Sequence, residues 1–271
     1  MIRYFNKANG LFRAFKDRIL PRYFIASPFF SSLYYIFFSN DFRREQHAVL
    51  QGKVLHLKEL KYNKSNVYTL IRNTHRIEKG LLMRPRRPVY ALDFITETVD
   101  AFVNIWDQKK MSDDLQYKWF HDVLSEYFAT SGENAIVERE KKRFFNIIKE
   151  TNSYRIIKKS IPYERAKADI PQISYEEFYK LTRYRRSVRW FLDKKVPRNI
   201  VDKAILAANQ SPTACNRQPF EYRVIDDPEL LKVVANLPMG VKGYVEGIPM
   251  MIVVVGNLDA YFDERDRHLI Y

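Results

Sequence analysis

Cysteine is almost absent from this chain of 271 residues, and several other familiar signals are missing. The single cysteine, Cys215, excludes an internal disulfide framework and any zinc site built from several cysteines. Such low cysteine usage is typical of a reducing compartment and predicts a cytoplasmic location. No compact apolar segment with a small-residue cleavage site follows the basic N-terminus, so we expect no cleavable signal peptide. The sequence also lacks internal repeats and low-complexity tracts.

No apolar run reaches the roughly 20 residues that are needed to cross a bilayer. The longest run, Tyr23–Phe38, is rich in aromatics but contains serines and Pro28. It belongs to the segment of residues 1–40, which contains six basic residues and one acidic residue. One interpretation is peripheral contact with anionic lipid at the inner face of the membrane. The other interpretation is a helix pair packed on the protein's own core or on a partner subunit. We favour it because stripes of aromatic residues lie in a protein core more often than on a membrane.

The composition supports a globular protein with an uneven positive charge. Hydrophobic residues make up 46% of the chain, enough for a sizeable core, and the net charge is +14. Residues 1–172 carry 31 Lys and Arg against 19 Asp and Glu, whereas residues 173–271 carry 15 against 13. Such a field attracts anionic lipid, nucleic acid or acidic substrates. Nucleic acid is the least favoured partner, since no helix-turn-helix, zinc-finger or RNA-binding signature accompanies the charge.

Residues 41–172 form a second region, for which apolar spacing predicts mostly helix. Ser65 is placed to cap the start of the first helix, and Gly80 to supply the left-handed position after its end. The segment from Tyr163 to Ile173 is polar and predicts a linker. The predicted helices span Asn66–Lys79, Ala91–Lys109, Leu115–Ala129 and Asn134–Lys149.

A dense basic cluster surrounds the end of the first of these helices. It has two interpretations, an anion-binding corner or cations that complement the negative helix end followed by a solvated loop. Spacing alone favours the second interpretation. The residues concerned are His75, Lys79, Arg84, Arg86 and Arg87.

Residues 173–271 form a third region of mixed helix and strand, so the whole chain is predicted to be α+β. Ser174 and Glu177 have the spacing of a capping box, and we expect the helix that follows to turn Phe178, Leu181 and Tyr184 inward. Val196-Pro197 and Asp227-Pro228 each predict the start of a further helix. Phe220–Ile225 predicts a half-buried strand, and Met250–Val255 a strand buried on both faces.

Three arginines and a serine lie within five residues of one another in this third region. Arg185, Arg186, Ser187 and Arg189 could surround a phosphate, because guanidinium groups bind phosphate oxygens in pairs and serine adds a donor. The alternative is an ordinary basic turn on the surface, and charge does not separate the two.

The loop from Pro212 to Pro219 is made of small and polar residues between a helix and a strand. Thr213 and Asn216 can donate and accept hydrogen bonds, and a small residue such as Ala214 lets backbone amides approach a ligand. A flat cofactor with carbonyl and imide edges needs such a lining. A plain connector is the alternative, since loops of this length are common.

Taken together, these motifs resemble the opening of the FMN-dependent nitroreductase family. The resemblance lies in Arg-Ser-hydrophobic-Arg-x-Phe, a helix introduced by Val-Pro, and Ser-Pro-small-small-x-Asn-x-Gln-Pro-aromatic before a strand. It covers about Ser174 to Tyr271, a little over a third of the chain.

The resemblance implies a homodimer with FMN at the subunit interface. Arg185, Arg186, Ser187 and Arg189 would contact the phosphate and ribityl chain, while Pro212, Thr213, Ala214 and Asn216 would line the flavin from the partner subunit. The implied reaction passes a hydride from NAD(P)H through the flavin to a nitroaromatic, a quinone or a biosynthetic intermediate. The flavin performs the chemistry, so we expect no catalytic side chain and no metal, and no catalytic role for Cys215.

The sequence departs from the family in two places. Ala214 stands where the family usually has Ser or Thr, so one hydroxyl contact is lacking. The chain stops at Tyr271 in what would be the first turns of the family's central helix, so we expect the domain of residues 173–271 to be truncated. The alternative function is therefore a non-catalytic protein that docks on a membrane or partner and carries a degenerate flavoprotein half-domain.

Overall fold

The structure, a computed structural model, describes residues 15–61, 67–107, 114–148 and 158–270. The predicted α+β class is confirmed, with a helical N-terminal region and a small sheet near the C-terminus. The three region boundaries stay predictions. A π-helical turn, Phe15–Ile19, leads into helices α1 (Leu20–Phe24), α2 (Pro28–Phe37), α3 (Arg43–Lys61), α4 (Val67–Leu82), α5 (Ile95–Ile105), α6 (Leu115–Thr130) and α7 (Ala135–Ile148).

The remaining elements are shorter. Helices α8 (Tyr175–Tyr184) and α9 (Arg198–Ala208) precede strand β1 (Phe220–Ile225), helix α10 (Pro228–Ala235) and strand β2 (Met251–Gly256). Five short 3-10 turns connect them or follow them in the described residues: Lys167–Asp169, Ala214–Asn216, Val245–Gly247, Leu258–Ala260 and Glu264–Ile270.

Helices α4 to α7 enclose the main hydrophobic core. Helix α4 packs on α5 and α6, and α5 packs on α7. The apolar stripes predicted from helical spacing therefore meet in one place, where aromatic rings contact each other edge to face or tilted. The largest fully buried side chains there are Phe102, Phe120, Tyr127, Phe128 and Phe144.

The helix ends follow local signals, with two exceptions. Asp114 caps α6 by accepting from the Gln116 amide at 2.8 Å, and Asn134 likewise accepts from the Ile136 amide at 2.9 Å. The left-handed role predicted for Gly80 is wrong, because α4 continues through Gly80 to Leu82. Helix α5 begins later than predicted since Ala91, at a φ of 63°, interrupts helical geometry. The predicted cap Ser65 lies outside the described residues.

The aromatic helices α1 and α2 pack on each other but leave one face open. The rings of Phe24, Tyr34 and Phe38 contact one another, while Phe29 and Phe37 are 67% and 71% exposed. Packing on the protein's own core is therefore wrong for this outer face. Among the described helices, none combines the length and apolar character required to cross a membrane.

The C-terminal sheet consists of β1 and β2, paired antiparallel so that Phe220 lies opposite Gly256 and Ile225 opposite Met251. The prediction that β2 is buried on both faces is wrong, since Ile252 and Val254 are 39% and 51% exposed. The inward orientation predicted for Phe178, Leu181 and Tyr184 is also wrong, because all three are exposed. Both predictions fail for the same reason, which is that no second layer covers these faces within the described residues.

A seam joins α3 to residues 257–270, the segment that follows β2. Lys53 Nζ lies 2.6 Å from Glu264 Oε1, and Arg267 Nε lies 2.6 Å from Glu45 Oε1. His56 Nδ1 is 2.7 Å from the carbonyl oxygen of Asp259. The seam holds α3 against the C-terminal end of the described chain.

Candidate functional site

The arginine-serine segment directly follows α8 and is extended and exposed. Arg186 Nη1 donates to the carbonyl oxygens of Arg183 and, at 2.9 Å, of Arg185, while Arg189 Nη1 donates to that of Ser187 at 3.3 Å. Within the described residues, no acidic side chain pairs with Arg185, Arg186 or Arg189. The segment therefore holds three positive charges that nothing in this part of the chain neutralises, as an anion site requires.

The loop before β1 has an unusual backbone. Cys215, Asn216 and Gln218 all adopt left-handed conformations, with φ of 54°, 53° and 43°. Non-glycine residues rarely do so, and each such residue costs on the order of 1–3 kcal/mol that the surroundings must offset. Strained backbone of this kind is concentrated at ligand sites, although it does not by itself identify a ligand.

Hydrogen bonds at the end of the loop offset part of this cost. Thr213 Oγ1 accepts from the Gln218 amide at 3.0 Å, and Gln218 Nε2 donates to the carbonyl of Asn209 at 2.9 Å. The carbonyl of Pro219, a buried residue, accepts from the Asn257 amide at 2.7 Å. Gln218 thus ties the loop to the end of α9, and Pro219 ties it to the residue that follows β2.

The same loop rests on helix α4 of the N-terminal region, a contact that the sequence did not predict. The Arg217 guanidinium lies 4.4 Å from the centre of the Tyr261 ring, and its buried Nε has no hydrogen-bond partner in the described residues. Burial lowers the pKa of Arg72 on α4. The negative charge of Glu97 opposes this decrease in pKa, and the positive charge of Arg217 adds to it. Two arginines therefore place positive charge behind the loop. Only their positions in space could have revealed this pair.

A cleft of about 740 Å³ lies beside the arginine-serine segment. Arg189, Trp190 and Phe191 line one side. The other side is lined by Pro238 and residues 240–247, whose backbone includes left-handed Gly240 and Gly243. Of the eight predicted cofactor contacts, Arg189 alone lines this cleft.

The structure therefore does not assemble the predicted site within one chain. Arg185, Arg186, Ser187, Pro212, Thr213, Ala214 and Asn216 lie outside the cleft. In the described residues, no hydrogen bond or ion pair joins the arginine-serine segment to the loop of residues 212–216. This separation is compatible with a dimer in which the loop of residues 212–216 contributes to the partner subunit's site.

The residues present fit an FMN-like group. Guanidinium groups without acidic partners in the described residues suit its phosphate, and the loop offers small side chains, the Thr213 hydroxyl and the Asn216 amide to a planar ring. The unpartnered Arg217 Nε is a further donor that a ligand or reorganised loop could satisfy.

Comparisons with known proteins agree on this part of the chain. Residues 182–241 match the model of the Nitroreductase family. Iodotyrosine deiodinase 1 of Sus scrofa is 36% identical over 55 residues, which cover 20% of this chain and 19% of the relative. Iodotyrosine deiodinase of Haliscomenobacter hydrossis is 26% identical over 72 residues, 26% of this chain and 32% of the relative.

A third relative, from Methanothermobacter thermautotrophicus, is provisionally named NADH dehydrogenase/NAD(P)H nitroreductase. It is 29% identical over 84 residues, covering 31% of this chain and 43% of the relative. The chain thus spans about a fifth of the length of the Sus scrofa deiodinase, about a third of that from Haliscomenobacter hydrossis and less than half of this third relative. No solved structure matches. The likeness to the Nitroreductase family thus lies in residues 182–241, the segment that contains both the arginine-serine and the proline-threonine motif.

Proposed function

We propose that this chain forms a homodimer that binds FMN between its subunits and transfers a hydride from NAD(P)H to a small electron acceptor. The observation that carries the proposal is the cluster of Arg185, Arg186 and Arg189 within the family segment. These arginines lie within five residues of one another in the sequence, and no acidic side chain pairs with them in the described residues. A phosphate dianion would supply the negative charge that they lack.

The other half of the proposed site is the loop of Pro212, Thr213, Ala214 and Asn216. In this proposal Arg185, Arg186, Ser187 and Arg189 of one subunit hold the phosphate end, and the partner's loop covers the ring. Bound FMN would supply the hydride chemistry itself, accepting from NAD(P)H and donating to the second substrate. The protein's residues would orient the ring and exclude water from it.

Exposed apolar side chains support the dimer. Trp190 beside the arginines is 86% exposed, and Val188 and Leu192 are also exposed. Large apolar side chains in such density mark surfaces that another molecule covers. The names of the relatives make iodinated and nitro-substituted aromatic compounds the first acceptors to test.

Flavin content tests the proposal directly. We expect the purified protein to retain FMN or to take it up on reconstitution, and the double variant R185Q/R186Q to lose at least ten-fold in FMN affinity. The variant R198Q is the matched control, because Arg198 is an exposed arginine of the same region that pairs with Asp226 at 3.1 Å. A protein that gains no flavin on reconstitution contradicts the proposal.

Subunit mixing tests the shared site. The variant N216D keeps a residue that tolerates left-handed backbone but replaces the amide donor by a charge that repels FMN. If the arginines and the loop act across two subunits, mixing R185Q/R186Q with N216D creates one intact site in each mixed dimer and restores flavin binding. Mixtures that stay flavin-free, with dimers verified by light scattering, contradict the shared site.

A second candidate function, docking on an anionic membrane surface, is favoured by the open face of α2. Phe29, Phe30, Ile36 and Phe37 lie on one side of this helix and are exposed, and exposed Arg18 and Arg22 lie nearby in sequence. We infer that this face lies in the headgroup layer.

Co-sedimentation with vesicles tests the docking. Vesicles with phosphatidylserine should carry down the protein, and neutral phosphatidylcholine vesicles should carry down little. The variant F29S/F37S should abolish the difference, whereas F178S, which removes an exposed aromatic elsewhere, should not. Equal sedimentation with both vesicle types argues against this function.

A further inference from the structure

A second basic site lies in the helical region, between the last turns of α4 and the loop that leads to α5. It is a pocket of about 360 Å³ whose lining includes Arg76, Lys79, Met83, Arg87, Tyr90 and Phe94. None of these residues belongs to the proposed flavin site. The pocket combines three cations with an apolar floor, so its chemistry differs from that of a simple charged surface.

Close packing of Tyr90 on α4 builds one wall of the pocket. A Cβ atom added at Gly80 would lie 2.1 Å from Cε2 of Tyr90, so the ring can occupy this position only against a glycine. The Tyr90 hydroxyl donates to the Ile77 carbonyl at 3.4 Å, and the Tyr127 hydroxyl donates to the Tyr90 carbonyl at 2.8 Å. Burial raises the pKa of Tyr90, which keeps its hydroxyl neutral beside any anion. The wall is therefore rigid and uncharged.

The cations of the pocket differ in how far they are already paired. The Arg76 guanidinium lies 3.2 Å from Asp93 Oδ2 and 3.6 Å from the centre of the Phe94 ring. Lys79 and Arg87 have no acidic partner within the described residues. The pocket thus carries two positive charges in excess, since Asp93 neutralises Arg76.

Neighbouring basic residues are engaged elsewhere. Arg84 Nη1 donates to the carbonyls of Leu81, Leu82 and Met83 at 3.1–3.3 Å and so closes the end of α4. His75 Nδ1 lies 3.3 Å from Glu78, which also accepts from Trp119 at 2.6 Å. Helix-end complementation therefore accounts for Arg84, but it does not account for Arg87, which lies beyond the helix.

We propose that this pocket binds a small organic phosphate. A phosphomonoester carries close to two negative charges at neutral pH, which matches the two unpaired cations. The guanidinium of Arg87 can engage two phosphate oxygens and Lys79 a third. The organic part of the ligand would rest on Met83 and Phe94, with Tyr90 beside it.

Calorimetric titration of the full chain with phenyl phosphate tests this proposal, with inorganic phosphate and phenol as reference probes. We expect saturable binding of phenyl phosphate at one site and at least several-fold weaker binding of each reference probe, because each supplies only half of the recognised chemistry. The double variant K79Q/R87Q should weaken binding by about ten-fold or more.

Two control variants distinguish binding in this pocket from diffuse charge attraction and from binding at the proposed flavin site. R86Q removes a charge from the same loop outside the pocket, and R185Q/R186Q removes the proposed flavin-phosphate contacts. Both should leave phenyl phosphate affinity within about three-fold of the unmodified protein, an allowance for long-range charge. Circular dichroism should show that K79Q/R87Q is folded, as expected for exposed side chains.

Four results would overturn the proposal. The first is the absence of saturable phenyl phosphate binding. The second is that inorganic phosphate binds as tightly as phenyl phosphate, which would show that the apolar contact does not contribute to binding. The third is a loss in R86Q equal to that in K79Q/R87Q, which would leave only diffuse charge attraction. The fourth is a loss in R185Q/R186Q alone, which would place the binding at the flavin-phosphate residues.

Discussion

The helical region of residues 67–148 and the nitroreductase-like region of residues 174–256 differ in how far their apolar side chains are buried. In the first, aromatic rings from α5, α6 and α7 are fully buried against one another. In the second, buried hydrophobic side chains are few, namely Val201, Leu231 and Ala235 in the described residues, while Phe178, Leu181 and Trp190 are more than half exposed. Both regions contain helices with side-chain caps, α6 and α7 in the first and α8 and α10 in the second, so good secondary structure does not imply a closed core.

The comparison shows which region can be stable through its own contacts. Burial of apolar area stabilises by about 25 cal/mol per Å², and the helical region obtains this within the chain. The nitroreductase-like region has the side chains for a core, but no facing layer covers them within the described residues. Its stability should therefore depend on a bound cofactor or a second subunit, in line with the homodimer proposed above.

The largest expected contrast comes from removing one phenylalanine in each region. Phe102 is fully buried, so F102A should lose about 3–5 kcal/mol of unfolding free energy. Phe178 is 58% exposed, so F178A should change stability by about 0.5 kcal/mol or less. Urea denaturation followed by circular dichroism measures both. Equal losses would mean that α8 is covered in solution and would break the comparison.

Acid should weaken the helical region through Asp122 on α6. Burial tends to raise the pKa of Asp122, but hydrogen bonds from His121, Lys118 and the Ser160 amide outweigh it and hold the pKa at about 2. The unfolded chain binds the proton first as the pH falls, since its reference value is 3.8. About 2 kcal/mol of stability should therefore be present above pH 4 and lost between about pH 4 and pH 2.

The variant D122N provides the control for this acid effect. It should be less stable than the unmodified protein at pH 6, and the difference between the two should shrink toward pH 2. A difference that stays constant over the whole range would show that Asp122 is not the titrating group. Urea denaturation at a series of pH values measures it.

The seam between α3 and residues 257–270 can be opened at Gly52 on α3. A Cβ atom at this position would lie 2.7 Å from the backbone carbon of Leu258. G52A should cost about 1–3 kcal/mol through this clash and regain about 1 kcal/mol of helix propensity. We expect a net loss and faster proteolysis near residue 258. Q51A, an exposed change on the same helix, should not have this effect.

The smallest expected effect concerns the hydrogen bond between Asn257 Nδ2 and the Tyr68 hydroxyl, which is 3.0 Å long. Y68F should cost about 1 kcal/mol because it removes the acceptor from a partly buried amide. Y179F, on the exposed face of α8, should be neutral. A coupling free energy near zero in a double-mutant cycle with N257A would show that this contact does not join the regions in solution.

Much of the local structure could be predicted because its causes are local. Ser174 Oγ accepts from the Glu177 amide at 3.1 Å while Glu177 Oε2 accepts from the Ser174 amide at 2.9 Å, as the capping-box spacing implies. Asp227 caps α10 in the same way, and strand β1 has its predicted bounds. The family motifs could also be recognised because they are contiguous.

The remainder depends on which elements meet, and local patterns do not encode that. The spacing of Phe178, Leu181 and Tyr184 specifies an apolar face but not whether anything covers it. The sequence around Gly80 resembles a helix end, while the role of Gly80 is set by its contact with Tyr90, ten residues away. Arg72 and Arg217 come together only through tertiary packing. The roles of the eight predicted cofactor contacts stay predictions.

The seam has a consequence for how the molecule is made. His56, Lys53 and Glu45 contact residues that lie 203, 211 and 222 positions later in the chain. A ribosome adds roughly 5–20 residues per second, so α3 emerges on the order of ten seconds or more before its partners. During that interval the side of α3 that carries Gly52 and His56 lacks the residues that cover it in the structure, and we expect holding chaperones to bind this stretch. Translation speed therefore belongs among the variables that set the yield of native protein.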